Sequence, residues 1–400
     1  MGKANLNAID AMLDYHQRSR HYPGALVLIE QDGKVLCRRV SGQLHGDRQD
    51  GSSDPMHDGA RFRIASLTKG MVSLVALRLV NAGQLDLDAP VGSVLPKLAD
   101  MRLLDGKPPS RPPSLRDCLR HTAGFGNLGE ITDPQVRRAC AEVPLEGDLA
   151  LLTRDEFLSR LSRRPLTERP GARFQYGFST DVAGLMIEQV TGQSLQASLK
   201  ELLFEPLGMT HSSFRVEPSE HGDMPTAFAE DKLWHGFVAR FNEADARAAA
   251  EQTNINTCTG LLHSGGGGLV STLDDVARYA RLIAAGGKNP NTAAAGGKAE
   301  QLISEALFNE AMSNQLGPGA PGPYNFTGGG FGFGLAGAIR NDWAPAAIPS
   351  ATGEFAWSGV TGQTLFIQPG KGWFGLMLSS NTASRVIVRL EFRRAAAGVS

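Results

Sequence analysis

No stretch of this chain is apolar for long enough to cross a bilayer, and Met1-Gly2-Lys3-Ala4-Asn5-Leu6 carries no signal-peptide pattern. The expectation is a cytoplasmic protein without a membrane partner. Cysteine is scarce: Cys37, Cys118, Cys140 and Cys258 are scattered, with no Cys-x-x-Cys pair. That argues against a zinc knuckle or a redox motif and suits reduced thiols. The nine histidines form no His-x-His or His-Glu-x-x-His pattern, so no metal site is expected. Blocks of like charge are also missing, and 40 basic residues nearly balance 41 acidic ones. Nothing favours nucleic acid as a partner. No Gly-Lys-Ser/Thr follows Gly265-Gly266-Gly267-Gly268, so that run is no phosphate loop, and tight backbone packing near a site is the better reading. No cofactor is expected.

What is present is enough apolar residue for a sizeable core: 42% of 400 residues. Leu6, Ile9, Met12 and Leu13 mark an amphipathic helix, Ala25 to Glu30 a strand, Asp32-Gly33 a hairpin turn and Lys34 to Val40 the returning strand. The middle reads as mostly helical. Leu115 to Arg120, Arg154 to Leu161 and Asp274 to Ile283 are helices; Ser179 and Ser194 are placed to cap two more, with Gly192 ending the first. Ala284 to Lys298 and Gly317 to Gly330 read as long loops. Strands return at Glu354 to Trp357, Gln363 to Gln368 and Trp373 to Ser379, before a closing helix from Thr382 to Ala396. Strands at both ends around a helical middle predict an α+β fold: an antiparallel sheet from both termini, flanked by helices, with a mainly helical lobe inserted. The sheet lobe would span about 1–80 plus 260–400, and the helical lobe about 81–259.

Ser66 and Lys69 form the sole Ser-x-x-Lys in the chain, at the start of a predicted helix that ends near Asn81-Ala82-Gly83. That spacing is almost one helical turn, so both side chains share a face. A serine hydroxyl needs a neighbouring base to become a nucleophile, and a lysine that has lost its proton can serve. The helix N-terminus adds free N–H groups for a developing oxyanion. The alternative is an ordinary serine cap beside a solvated lysine.

Tyr176 lies in Gly171-Ala172-Arg173-Phe174-Gln175-Tyr176-Gly177-Phe178-Ser179, a loop leading into a helix. A phenol there can shuttle a proton if a cation such as Lys69 stabilises its phenolate; the alternative is a loop aromatic tucked into the core. His263-Ser264-Gly265-Gly266 approaches a Gly-x-Ser-x-Gly elbow, but Leu262 fills the first glycine position and argues against it. His121 reads as a structural hydrogen-bonding group.

Four segments in order resemble the serine β-lactamase-like superfamily, in its class C and family VIII carboxylesterase branch. They are Phe62-Arg63-Ile64-Ala65-Ser66-Leu67-Thr68-Lys69, Leu119-Arg120-His121-Thr122-Ala123-Gly124, Phe174-Gln175-Tyr176-Gly177-Phe178-Ser179 and Trp357-Ser358-Gly359. The resemblance implies a β-lactamase/transpeptidase-like fold and a serine hydrolase without metal or cofactor. It implies Ser66 as the acylated nucleophile, Lys69 as the group easing its deprotonation, and Tyr176 as general base and proton shuttle. Whether Lys69 or Tyr176 is the base stays open. The backbone N–H groups of Ser66 and Val360 would form the oxyanion hole.

Two departures separate the branches. Phe178 stands where class C enzymes carry the Asn of Tyr-x-Asn, and Trp357 where they carry the Lys of Lys-Thr-Gly. Both changes make the pocket less polar. With Trp357, Ser358, Gly359 and Phe178 taken as substrate-binding, the expectation is a carboxylesterase for short-chain or aryl esters. The alternatives are a β-lactamase, a D-amino peptidase or linear amide hydrolase, an acyltransferase, or a non-catalytic binding protein on the same fold.

Overall fold

Gly24–Gln31 is apolar almost throughout, and Leu26, Val27, Leu28 and Ile29 are wholly buried. A strand with both faces covered needs layers on each side of the sheet. The computed structural model describes residues 4–19, 21–45, 54–145, 149, 152–225, 261–294, 300–317, 322–346, 348–380 and 384–398. In chain order the elements used below are α1 (Leu6–Arg18), β1 (Gly24–Gln31), β2 (Lys34–Gly42), β3 (Phe62–Arg63), α2 (Thr68–Asn81), α3 (Leu115–Leu119), α4 (Pro134–Ala141), α5 (Arg154–Leu161) and α6 (Ser179–Thr191). They continue with β4 (Val270–Ser271), α7 (Leu273–Ala284), β5 (Phe331–Phe333), β6 (Ala338–Arg340), β7 (Phe355–Ser358), β8 (Thr364–Gln368), β9 (Trp373–Ser379) and α8 (Arg385–Ala396).

The main sheet is antiparallel with strand order β2-β1-β9-β8-β7-β6-β5, so the first and last strands of the chain meet at β1–β9. Register shows which helices cover which face, because side chains alternate along a strand. Glu30, Phe374 and Ile367 stand opposite one another on one face, and Glu30 is paired there with Arg281 of α7 at 2.7 Å. Phe366 points the other way, against Phe392 and the Arg393 guanidinium of α8. The sheet is therefore sandwiched, with the mainly helical segment inserted between its N- and C-terminal strands. Each fully buried Leu, Ile or Val of β1 contributes roughly 1.5–3 kcal/mol by leaving water.

Several elements differ from expectation. Ser179 does not cap α6: Phe178 holds the cap position, and Ser179 is buried in the first turn with its hydroxyl unpartnered among the described residues. Gly192 does end that helix, with φ 68°, and Ser194 caps the next by accepting from the Ala197 N–H at 3.2 Å. α4 falls in a segment without apolar periodicity; the Asp133 side chain caps it and Pro134 starts it. β5 and β6 lie in glycine-rich sequence that hides their alternation. α2 is buried on nearly every side, because it packs against α6 and the helical segment Leu195–Phe204. Cys258 lies outside the described residues, as do parts of the loops expected at Ala284 to Lys298 and Gly317 to Gly330. Cys37, Cys118 and Cys140 are buried. No helix among the described residues is long and apolar enough to cross a membrane.

Candidate active site

β3 pairs with β4, and the Ile64 N–H donates to the Leu269 carbonyl at 3.0 Å. The chain then turns sharply. Ala65 sits at φ 45°, a left-handed conformation that costs an L-residue roughly 1–2 kcal/mol. Ala65–Leu67 is a single tight 3-10 turn, and only at Thr68 does α2 begin. Ser66 thus precedes the α-helix rather than opening it. It is half-buried at the rim of this turn. Strain of this kind clusters at functional sites.

Lys69, one turn on, is 6% exposed. Its Nζ donates to Ser66 Oγ at 3.3 Å and to the Gly266 carbonyl, and it lies 4.6 Å from the centre of the Tyr176 ring. The Tyr176 hydroxyl donates to Ser66 Oγ at 2.7 Å. The three predicted groups therefore converge on one oxygen.

Tyr176 is set by the segment before α6. The Asn127 N–H donates to its carbonyl at 3.1 Å. A Cβ on the next residue, Gly177, would lie 2.2 Å from the Phe125 carbonyl oxygen, so only glycine allows this approach. The ring packs against His121 at 4.7 Å, Phe326 at 4.7 Å and Trp357 at 5.6 Å. Burial, with the nearby Lys69 charge, holds His121 well below the usual imidazole range, so it is neutral. Its Nε2 lies 3.5 Å from Thr180 Oγ1, and its Nδ1 has no partner among the described residues.

The turn after β7 closes on Ser66 from the other side. A Cβ on Gly359 would lie 2.7 Å from the Ile64 carbonyl oxygen and 3.2 Å from Ala65 Cβ. Thr361 Oγ1 donates to the Arg63 carbonyl at 3.2 Å, and the Gly359 N–H donates to the Gln363 carbonyl at 2.9 Å. The Val360 side chain is exposed. Arg389 of α8 donates to the Gly359 carbonyl; burial pulls its guanidinium down to about 9, still charged at neutral pH.

The predicted substrate-binding residues divide. Trp357 is buried beside Tyr176, edge-on to Phe333 at 5.1 Å, with its indole N–H unpartnered among the described residues. Gly359 lies against the Ala65–Leu67 turn. Ser358 donates to Thr364 across β7–β8 at 3.1 Å. The Phe178 ring packs on Phe157 and the Arg164 guanidinium, inside the helical segment.

Sequence reasoning missed Phe326 and Phe333, which lie in or beside the glycine-rich stretch near residue 330. It also missed Asp181 and the use of Ser264. Ser264 Oγ donates to Asp181 Oδ1 at 2.6 Å, which fits its exclusion as a nucleophile. Gly265 to Gly268 packs tightly beside the site, as expected: a Cβ on Gly265 would lie 2.6 Å from the Thr180 carbonyl oxygen.

The chain matches the Beta-lactamase family over residues 9–399. It is 33% identical over 383 residues to Esterase EstB of Burkholderia gladioli, covering 94% of this chain and 90% of that protein. The solved structure of EstCE1, described as a hydrolase with promiscuous acyltransferase activity, aligns with a TM-score of 0.79 at 26% identity, covering 98% of each chain. Unliganded Simvastatin Synthase (LovD) from Aspergillus terreus shares the fold, with a TM-score of 0.77 at 21% identity over 99% of each chain.

Proposed function

This chain belongs to the beta-lactamase family of serine hydrolases, and from that premise we propose that it is a carboxylesterase cleaving short-chain or aryl esters through an acyl-Ser66 intermediate. The observation that carries the proposal is the convergence of Tyr176 Oη and Lys69 Nζ on Ser66 Oγ, at 2.7 and 3.3 Å.

In this reading Ser66 Oγ attacks the ester carbonyl carbon as its proton passes to the Tyr176–Lys69 pair. The carbonyl π electrons move to oxygen, and the N–H groups of Ser66 and Val360 receive the oxyanion. Collapse breaks the bond to the leaving oxygen, which takes the proton through Tyr176 and departs as the alcohol. Water then adds to the acyl carbon by the reverse proton route. This releases the acid and restores Ser66.

Neutral esters suit the walls better than anionic lactams. Trp357 replaces a lysine, and the rings of Tyr176, Phe326, Phe333 and Trp357 form a continuous aromatic surface beside Ser66. The similarity to EstB and EstCE1 supports ester substrates. The acyltransferase activity in the description of EstCE1 supports a second outcome for the same intermediate, transfer to an alcohol instead of water. We further propose lobes of about 1–80 plus 260–400 and 81–259, the expected division of a sheet lobe and an inserted helical one. A cytoplasmic enzyme acting on small molecules, without nucleic-acid or membrane partners, completes the reading.

The test is initial rates on p-nitrophenyl acetate, butyrate and octanoate beside a chromogenic cephalosporin, for wild type and Ser66→Ala. Ester turnover that is lost in the variant, with slow lactam cleavage, is the expected result. Faster lactam than ester turnover would move the protein to the β-lactamase side of its family.

A further inference from the structure

We propose that Asp181 is a positioning residue for Lys69: its carboxylate fixes the glycine turn whose Gly266 carbonyl receives the Lys69 ammonium, and its charge offsets that ammonium inside the protein. The inference rests on the reading of Ser66, Lys69 and Tyr176 given above.

Asp181 lies in the first turn of α6 and is 2% exposed. A carboxylate there would ordinarily face water or the helix's own N–H groups. Besides its own backbone N–H, the Asp181 carboxylate takes up two groups of a distant segment: Oδ1 accepts from Ser264 Oγ at 2.6 Å and the Gly266 N–H at 3.0 Å. Gly266 then presents its carbonyl to Lys69 Nζ. One residue is thus held by the acid through its N–H and holds the lysine through its C=O. A Cβ at Gly266 would lie 2.5 Å from Asp181 Oδ2, so the contact requires glycine.

The electrostatics point the same way. Burial raises the Asp181 carboxyl; the Lys69 charge, Ser264 and the Gly266 N–H oppose it. Burying an ion costs several kcal/mol unless a counter-charge and hydrogen bonds offset it. The cation acting on Asp181 is Lys69. Tyr176 and His121 also face this region, and next to Ser264 His263 lies 3.9 Å from Glu188; burial lowers both histidines, leaving them neutral, and raises the Glu188 carboxyl. Tyr176 and Asp181 also lie five residues apart on the same stretch of chain. The start of α6 therefore delivers both the proton carrier to Ser66 and the anchor of its lysine.

The experiment is the pH profile of kcat/KM on p-nitrophenyl butyrate for wild type, Asp181→Asn and Ser264→Ala, with fluorophosphonate labelling of Ser66 in each. Removing the negative charge disfavours the protonated form of the Ser66–Lys69–Tyr176 network. The acid limb of Asp181→Asn therefore moves to lower pH, by about one unit or more. Its plateau kcat falls about 10- to 100-fold, with KM within about twofold, because the lysine loses its fixed acceptor. Ser264→Ala keeps the charge and loosens the turn, so its kcat falls with the acid limb unmoved. A purely structural Asp181 would lower activity equally at every pH. That result, or wild-type kcat in Ser264→Ala, overturns the inference. Should Asp181→Asn fail to fold, the Ser264→Ala arm still decides. Wild-type enzyme that does not label at Ser66 overturns the underlying reading instead, whatever the acid limb does.

Discussion

The Tyr176 hydroxyl lies 2.7 Å from Ser66 Oγ across 110 positions of sequence. Two segments deliver it: the strained turn at Ala65 lifts Ser66, and the glycine approach at Gly177 fixes the tyrosine. Tyr176→Phe keeps the ring contacts with His121, Phe326 and Trp357 and removes only the oxygen. Its kcat on p-nitrophenyl esters should fall by roughly 10²- to 10⁴-fold with KM little changed. Thermal unfolding within a few degrees of wild type would show that the loss is chemical. An enzyme with near-native kcat would remove Tyr176 from the proton path.

In the proposed mechanism Gly359 positions the oxyanion side. In Gly359→Ala the new Cβ meets the Ile64 carbonyl, Ala65 Cβ and Gln363 Oε1, the last at 2.3 Å. The turn must lift away from Ser66, and the Val360 N–H moves with it. Misplacing one oxyanion donor costs about 10²- to 10³-fold in kcat. Steady-state kinetics on the variant, with circular dichroism to check folding, gives the answer; unchanged kcat would place the oxyanion hole elsewhere.

The parts of the fold and site that the sequence shows plainly are those encoded locally. β1, the Asp32-Gly33 turn, β2 and β9 follow from alternation and turn residues. The Ser66–Lys69 spacing follows from helical geometry. Tyr176 needed the resemblance, because nothing local says that a loop tyrosine meets a serine so far away. β5 and β6 were hidden by their glycines, although Phe333 goes on to form the wall under Trp357. Asp181 carries no local signal of its contacts, because its partners lie 83 and 85 residues away. The conformation of Ala65 was equally invisible, since alanine carries no signal for a left-handed turn.

Acid should destabilise the protein through His121. The unfolded imidazole titrates near 6.5, and the folded one well below it. The stability that goes with the neutral ring is complete above about pH 6.5 and is lost as pH falls toward the folded value. Calorimetry between pH 7.5 and 5 should show Tm falling on acidification. In His121→Asn, a residue that tolerates the positive φ of this position, the fall should be shallower. His16, His21 and His263 are lowered by burial as well and would sustain the remaining slope. A Tm equally steep in both proteins would mean that His121 is not buried neutral.

Asp117 is wholly buried and joins Arg111, Arg120, Thr122 and the Ser114 N–H at the start of α3. Burial raises its carboxyl, but the two guanidiniums and the Ser114 N–H outweigh that and hold it at about 2, against 3.8 unfolded. Its stabilisation is present above about pH 4 and is lost as pH falls toward 2. Asp117→Asn should cost about 1–3 kcal/mol at neutral pH, read from urea denaturation. The deficit should shrink as pH drops through that window. A constant deficit would show that charge is not what the site uses.

The acyl-Ser66 intermediate can be trapped directly. Wild-type enzyme, quenched in acid during turnover of p-nitrophenyl butyrate and digested for peptide mass mapping, should carry one butyryl group on the peptide containing Ser66. Ser66→Ala should carry none and should not turn over. A butyryl group on another residue, or a Ser66→Ala variant that hydrolyses the ester at the wild-type rate, would contradict a nucleophilic Ser66.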